Sequence, residues 1–253
     1  MQQTRSIPPV LVLDMIGVVF LINRKRILRN LGLGRLLLFY LTRRENPIDE
    51  GMKILDRMRR EMPGQYQEVM GYKGNLLPAC FVRWHTGLCA AEQVVAEFTQ
   101  FCEQLKAEGY FTSTLHYQMI TDLVKVLVNE DKGAICPNPA LTPLLQKIRS
   151  KGAQRLFLLT NIDHETYKAL SAHYPEIFNL FEGRVTSCET GLLKPDPAIF
   201  NYLCGAYKLS PAECFYIDDQ LENVQAANGC GIQGAWCPTN KNLLTTMRDI
   251  ANI

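Results

Sequence analysis

From Pro137 onward the chain alternates short apolar runs with segments of helix length. The apolar runs are Leu156–Thr160, Arg184–Ser187, Cys214–Asp218 and Gly234–Cys237. The helical segments are Thr142–Ser150, the stretch opening at His164-Glu165, Ala198–Ala206 and Glu222–Ala227. Gly152 is placed to close the first of these and Asp163 to cap the second. Strands joined by two-residue turns pair antiparallel, whereas strands separated by helices need crossover connections and lie parallel. The expected fold is therefore α/β: a Rossmann-like parallel sheet with helices on both faces. One further run, Val10–Asp14, follows two prolines and reads as a buried strand of the same sheet. Between them, residues 24 to about 131 carry apolar side chains at three- and four-residue spacing, as in Ile27-Leu28-Leu31 and Val94-Val95-Phe98-Phe101. Pro47, Pro63-Gly64, Gly71, Gly74, Pro78 and Gly87 cut this stretch into several helices. The expected organisation is a core of residues 1–22 and 136–253, interrupted by a helical domain of residues 23–135.

Composition narrows the classes. Of 253 residues, 47% are hydrophobic and 21% charged, enough apolar side chain for a large core and too much for a disordered chain. A balance of 27 basic against 25 acidic residues does not call for nucleic acid as a partner. The nine cysteines form no CxxC pair and are odd in number, which favours reduced thiols over a zinc ribbon or a disulfide framework. The apolar run from Val10 to Ile22 contains Asp14 and falls short of the roughly 20 residues a spanning helix needs. It is followed by Arg24-Lys25-Arg26, not by a small-residue cleavage site. No membrane span and a cytoplasmic location are expected.

Four polar clusters follow apolar runs: Asp14 in LVLDMIGVV, Thr160-Asn161 in LFLLTN, Lys194 in GLLKPDP, and Asp218-Asp219 in FYIDDQLEN. Singly each is ambiguous, because an aspartate after a strand also caps helices and a threonine there also serves turns. Together they mark the carboxyl ends of parallel strands, where open α/β sheets place their sites.

On these four motifs, and on the segments SCETGLLKPDPAIF and FYIDDQLENVQAA, the chain resembles the haloacid dehalogenase superfamily, in the subfamily with a helical cap inserted after the first motif. The resemblance covers about residues 8–22 and 137–237. It implies an aspartate nucleophile, Asp14, that forms an aspartyl-phosphate on a small phosphorylated substrate and so splits one hard hydrolysis into two easier steps. It implies Mg²⁺ held by the carboxylates of Asp14, Asp218 and Asp219 and by the backbone carbonyl of Ile16. Thr160 would hydrogen-bond the phosphoryl oxygens, with backbone N–H groups near Asn161 and Gly17. Lys194 would neutralise the nucleophile and the transferring group. Asn223 either braces the fourth-motif loop or is an ordinary polar residue of the following helix.

The chain departs from the family's phosphatases at Ile16, where they carry a second aspartate as general acid and base. Such a group is worth roughly 10²–10⁴-fold in rate. Three readings follow: a specialised phosphohydrolase whose leaving group needs no proton, such as an acyl phosphate; a pseudoenzyme that binds a phosphorylated ligand or a protein; or displacement at carbon. The Asp218-Asp219 pair speaks against the last, which needs no cation.

Two features lie in the insert. Residues 24–44 hold seven basic side chains and no acid, interleaved with LLLFYL. The expected arrangement is a cap helix that buries Leu36 to Leu41 and solvates its arginines; the alternative is a basic amphipathic helix attracted to anionic lipid or a protein partner. Phe81-Val82-Arg83-Trp84-His85 and Tyr72-Lys73 are candidates for substrate contact.

Overall fold

The computed structural model describes residues 8–62, 71–72, 75–129, 134–152 and 154–251. Pro63-Gly64, Lys73, Gly74 and Asp131 lie outside the described residues. The chain divides into two compact units, residues 1–22 with 136–253, and residues 23–135.

In the first unit, β1 (Val10–Leu13) leads through a turn to β2 (Phe20–Ile22). In the second, α1 (Arg24–Asn30), α2 (Leu33–Arg43) and α3 (Pro47–Glu61) precede a small ribbon of β3 (Gly71–Tyr72) and β4 (Asn75–Leu76). Then follow α4 (Ala79–His85), α5 (Ala91–Ala107) and α6 (Thr114–Asn129). The chain returns through β5 (Ile135–Pro137), which pairs with β2, to α7 (Thr142–Lys151) and β6 (Arg155–Thr160). Beyond β6 lie α8 (His164–His173), α9 (Pro175–Phe178), β7 (Gly183–Thr186), α10 (Ser187–Thr190) and α11 (Pro197–Tyr207). The last elements are β8 (Cys214–Asp218), α12 (Leu221–Gly229), β9 (Gln233–Trp236) and α13 (Asn240–Ala251).

The main sheet has the order β7-β6-β1-β8-β9, and every pairing is parallel. All four residues of β1 are buried, so both faces of the sheet are covered. One face belongs to a cluster of Val10, Val12, Phe157, Leu159, Tyr216, Phe200 and Leu203, joining the sheet to α11. Local chemistry sets the helix ends: Asp163 accepts from the Thr166 amide at 2.9 Å, Asp196 from the Ala198 amide at 2.8 Å ahead of Pro197, and Gly152 takes the left-handed conformation after α7.

The helical unit contains a buried polar network. Glu50 is 2% exposed and accepts from Tyr110 Oη at 2.8 Å, with His116 Nε2 at 3.2 Å and Arg43 at 3.8 Å. This network bears on α2, where the expected arrangement is inverted. Leu37, Leu38, Tyr40 and Leu41 are exposed, and only Phe39 of the helix is buried. Two of its arginines turn to the helices instead: Arg35 meets Asp122 at 2.9 Å, and Arg43 meets Glu50 and Thr112. Asp122 and Glu50 pull the cationic side of α2 inward and so leave its leucine side in water.

Candidate active site

Strand alternation and strand ends bring the four clusters together. Asp14 follows β1, its amide bonded to Ile217 O at 2.9 Å, and is buried. Thr160 ends β6 and Asp218 ends β8, on the two strands that flank β1. Lys194 arrives on the loop before α11 and is 2% exposed. Its Nζ lies 2.6 Å from Asp14 Oδ1, 2.8 Å from Asp218 Oδ2, 3.0 Å from Tyr216 Oη and 3.1 Å from Leu159 O. An ammonium has three protons, so these four oxygens saturate it.

The loop that carries Lys194 is fixed by Asn161, whose Nδ2 donates to Lys194 O at 2.8 Å while its Oδ1 accepts from the Lys194 amide at 2.9 Å. Ser187 Oγ accepts from the Ile162 amide at 2.9 Å and holds the neighbouring loop. Asn161 thus positions the lysine through its side chain. The Gly17 amide donates to Phe20 O at 2.7 Å, so it is spent within its own turn and does not point an open N–H at a ligand. Gly17 is required for another reason. Its φ is +102°, and a Cβ there would stand 2.7 Å from the Asp219 carboxylate. Ile16 is half-buried and bridges to Phe20.

Asp218 is fully buried and heavily hydrogen-bonded: Oδ1 accepts from the Gln220 amide at 2.8 Å, and Oδ2 from Asn223 Nδ2 at 3.0 Å, Lys194 and Tyr216. Asn223 is therefore a brace of this loop. Tyr216 escaped the sequence reading because an aromatic residue within an apolar strand looks like core. The signal was its register, since residues two apart on a strand share a face and Tyr216 stands two before Asp218.

The electrostatics are unbalanced. Asp14, Asp218 and Asp219 each offer an oxygen within 4.8 Å of the others, against the single ammonium of Lys194. Burial pushes the Asp14 carboxyl up to about 7; Lys194 opposes the rise, and Asp218 and Asp219 add to it. Burial works against the Lys194 ammonium, but Asp14 and Asp218 outweigh it and hold its pKa above the ordinary value. Burial and the neighbouring Asp218 and Asp14 drive the Tyr216 hydroxyl well above its ordinary value, so it stays a donor. Thr160 Oγ1 is buried with no hydrogen-bond partner. A buried donor without an acceptor costs about 1–3 kcal/mol and persists where a ligand satisfies it. Three crowded carboxylate oxygens around one cation are the donor set of a hard divalent ion, and the residues present fit Mg²⁺.

A parallel sheet with an aspartate after its central strand, and a lysine and two more aspartates gathered against it, defines a haloacid dehalogenase-like hydrolase. Residues 93–231, more than half of the chain, match that family, and the chain belongs to it. Among curated relatives, a sesquiterpene phosphatase of Aspergillus oryzae is 31% identical over 102 residues, 40% of this chain and 51% of that protein. The mouse acyl-CoA dehydrogenase family member 10 is 25% identical over 152 residues, 60% of this chain and 13% of that protein. The chain thus spans about half the length of the first relative and a small part of the second. A haloacid dehalogenase family enzyme of Bacteroides thetaiotaomicron, crystallised with magnesium and inorganic phosphate, superposes with a TM-score of 0.54 at 18% identity, over 90% of this chain and 92% of that one. That likeness speaks to the fold. Among the described residues, no helix is long and apolar enough to cross a membrane.

Proposed function

We propose that this hydrolase is an Mg²⁺-dependent phosphohydrolase that works through an aspartyl-phosphate at Asp14. The observation that supports this most directly is the charge excess of the Asp14–Asp218–Asp219 cluster, in which Asp14 and Asp218 are buried and Asp219 half-buried, together with the unpartnered Thr160 hydroxyl. Asp14, Asp218, Asp219 and the Ile16 carbonyl would hold the ion. When bound, it supplies the positive charge that lets a carboxylate approach an anionic phosphoryl group.

The chain's own residues do the rest. Lys194 Nζ holds Asp14 Oδ1 and orients the carboxylate. An Asp14 oxygen attacks phosphorus, the Asp14 O–P bond forms and the bond to the leaving oxygen breaks. Thr160 Oγ1 donates to a phosphoryl oxygen, and water then attacks phosphorus and releases Asp14. With Ile16 in place of an acid, the leaving oxygen departs unprotonated, which favours acyl and aryl phosphates. In this reading the helical unit of residues 23–135 is the cap that selects the substrate; of the run Phe81–His85, Phe81, Val82 and Trp84 are buried and only Arg83 and His85 are half-buried. The relative named as a sesquiterpene phosphatase supports a phosphate ester as substrate class. A cytoplasmic setting accords with nine free thiols.

The test is turnover of acetyl phosphate and p-nitrophenyl phosphate with Mg²⁺, expected for the wild type and at background for Asp14→Asn. Ile16→Asp is expected to raise turnover of alkyl phosphates by about 10²–10⁴-fold. Ile16 itself favours a second reading, a phosphate-ligand binding module. Thermal stabilisation by Mg²⁺ and phosphate with no turnover in either the wild type or Ile16→Asp selects that reading.

A further inference from the structure

The inverted helix α2 leaves a surface that the proposed hydrolysis does not use. Leu33, Leu37, Tyr40 and Leu41 are 65%, 61%, 60% and 65% exposed. At 100° per residue they fall within one sector of the helix, opposite the side that buries Phe39. Soluble proteins rarely expose a contiguous apolar stripe without a partner for it.

The exposed charges that flank the stripe along the chain identify that partner. Lys25, Arg26 and Arg29 of α1, before the stripe, and Arg44, directly after it, are exposed. None of the four forms an ion pair among the described residues, whereas Arg35 and Arg43 are paired inward with Asp122 and Glu50. No acid occurs in residues 24–44, and the next one, Glu45, is bonded to Lys53. A second copy of the chain would bring the same unpaired cations against each other, so self-association through this face is opposed by its own charge. An apolar protein partner would leave them unused. A surface that is apolar in depth and anionic at its rim satisfies both halves, and a bilayer bearing acidic headgroups has that profile.

We propose that the outer face of α2 docks on an anionic lipid surface, with Leu33, Leu37, Tyr40 and Leu41 in the interfacial layer and Lys25, Arg26, Arg29 and Arg44 among the headgroups. The proposal is independent of the chemistry at Asp14.

Flotation of the full chain with vesicles tests it, comparing phosphatidylcholine alone with phosphatidylcholine containing phosphatidylserine. Binding is expected only with the acidic lipid and is expected to fall in 0.5 M NaCl. Lys25→Gln, Arg26→Gln and Arg29→Gln together should weaken it roughly 100-fold, at about one kcal/mol for each basic residue near the surface. Leu37→Ser with Leu41→Ser should weaken it about tenfold or more without unfolding the protein, because both side chains are already in water. Asp14→Asn should bind like the wild type. Equal binding to neutral vesicles, or binding that survives the leucine pair, overturns the proposal. So does a dimer in sedimentation that dissociates in the Leu37→Ser, Leu41→Ser variant while vesicles are ignored.

Discussion

Each unit buries a cluster of charged side chains, and the two clusters are built to opposite rules. In the helical unit one carboxylate, Glu50, is surrounded by Tyr110, His116, Arg43 and Lys53. Donors outnumber the acceptor, so the carboxylate's charge is balanced within the unit, although Arg43 Nε stays buried without a hydrogen-bond partner. In the core Lys194 pairs with Asp14 and Asp218, Asp219 adds a third carboxylate to the cluster, and the Thr160 hydroxyl has no hydrogen-bond partner. A cluster whose charge is balanced serves the fold; one left with an excess of negative charge keeps stability in reserve for a ligand.

The largest expected effect separates the two directly. Lys194→Met leaves Asp14 and Asp218 buried without a cation and should cost about 3–5 kcal/mol, with turnover at background. Glu50→Gln keeps the shape and one acceptor, and should cost about 1–3 kcal/mol with turnover intact. Urea melts and p-nitrophenyl phosphate assays on both variants check the contrast. Equal losses of activity would dissolve it.

Next in size is Gly17→Ala. Its φ of +102° and the Asp219 carboxylate 2.7 Å from the new Cβ should cost about 1–3 kcal/mol and weaken Mg²⁺ stabilisation in thermal melts. The variant should leave the Glu50 network untouched.

The pH responses should differ in sign. In metal-free protein the folded Asp14 carboxyl titrates near 7, above its unfolded 3.8, so its contribution is fully present below about pH 4 and is lost as pH rises through about 7. Mg²⁺ competes with that proton, and its stabilisation should be greater at pH 8 than at pH 5.5. His116 runs the other way. Burial first, and then Arg43, hold its folded pKa below the ordinary 6.5 against the pull of Glu50. Its contribution is present above about pH 6.5 and lost as pH falls through the lowered value. Hydrogen exchange followed in each unit from pH 8 to 5.5 without metal should show the core tightening and the helical unit loosening.

The smallest effect on stability belongs to Thr160→Val. Because the hydroxyl has no partner to lose, the melting temperature should stay within a degree or two, while phosphate stabilisation and KM suffer. A marked fall in melting temperature would place Thr160 with the structural groups.

Much of the core was legible in the sequence, and the reason is local. The strand Cys214–Asp218 has the bounds that its apolar run and terminal aspartate mark out, and Asp163 and Gly152 end helices where their side-chain chemistry requires. The run from Arg184 ends one residue early, at Thr186, because Ser187 opens α10 and turns its hydroxyl to Ile162. The short pair β2 and β5 and the final helix α13 passed unread; two strands of three residues carry too little pattern to register. The orientation of α2 was not legible at all. Periodicity reveals that a helix has an apolar side, but Asp122, 87 positions beyond the Arg35 it pairs with, decides which side turns inward. Tyr216 was hidden by its own hydrophobicity until the lysine arrived beside it from another loop.

The sheet order also sets a timetable for synthesis. Strand β1 lies between β6 and β8, so neither neighbour exists until more than 140 further residues have been made. At the usual 5–20 residues per second, the stretch from Asp14 to the end of β8 takes about 10–40 s to emerge. Until β6 emerges, one of the most apolar segments of the chain, Val10 to Ile22, waits with both edges of β1 open, and one edge stays open until β8 follows. Asp14 therefore ends a strand that is made well before either of its neighbours, and this apolar segment stays open to other contacts until they emerge.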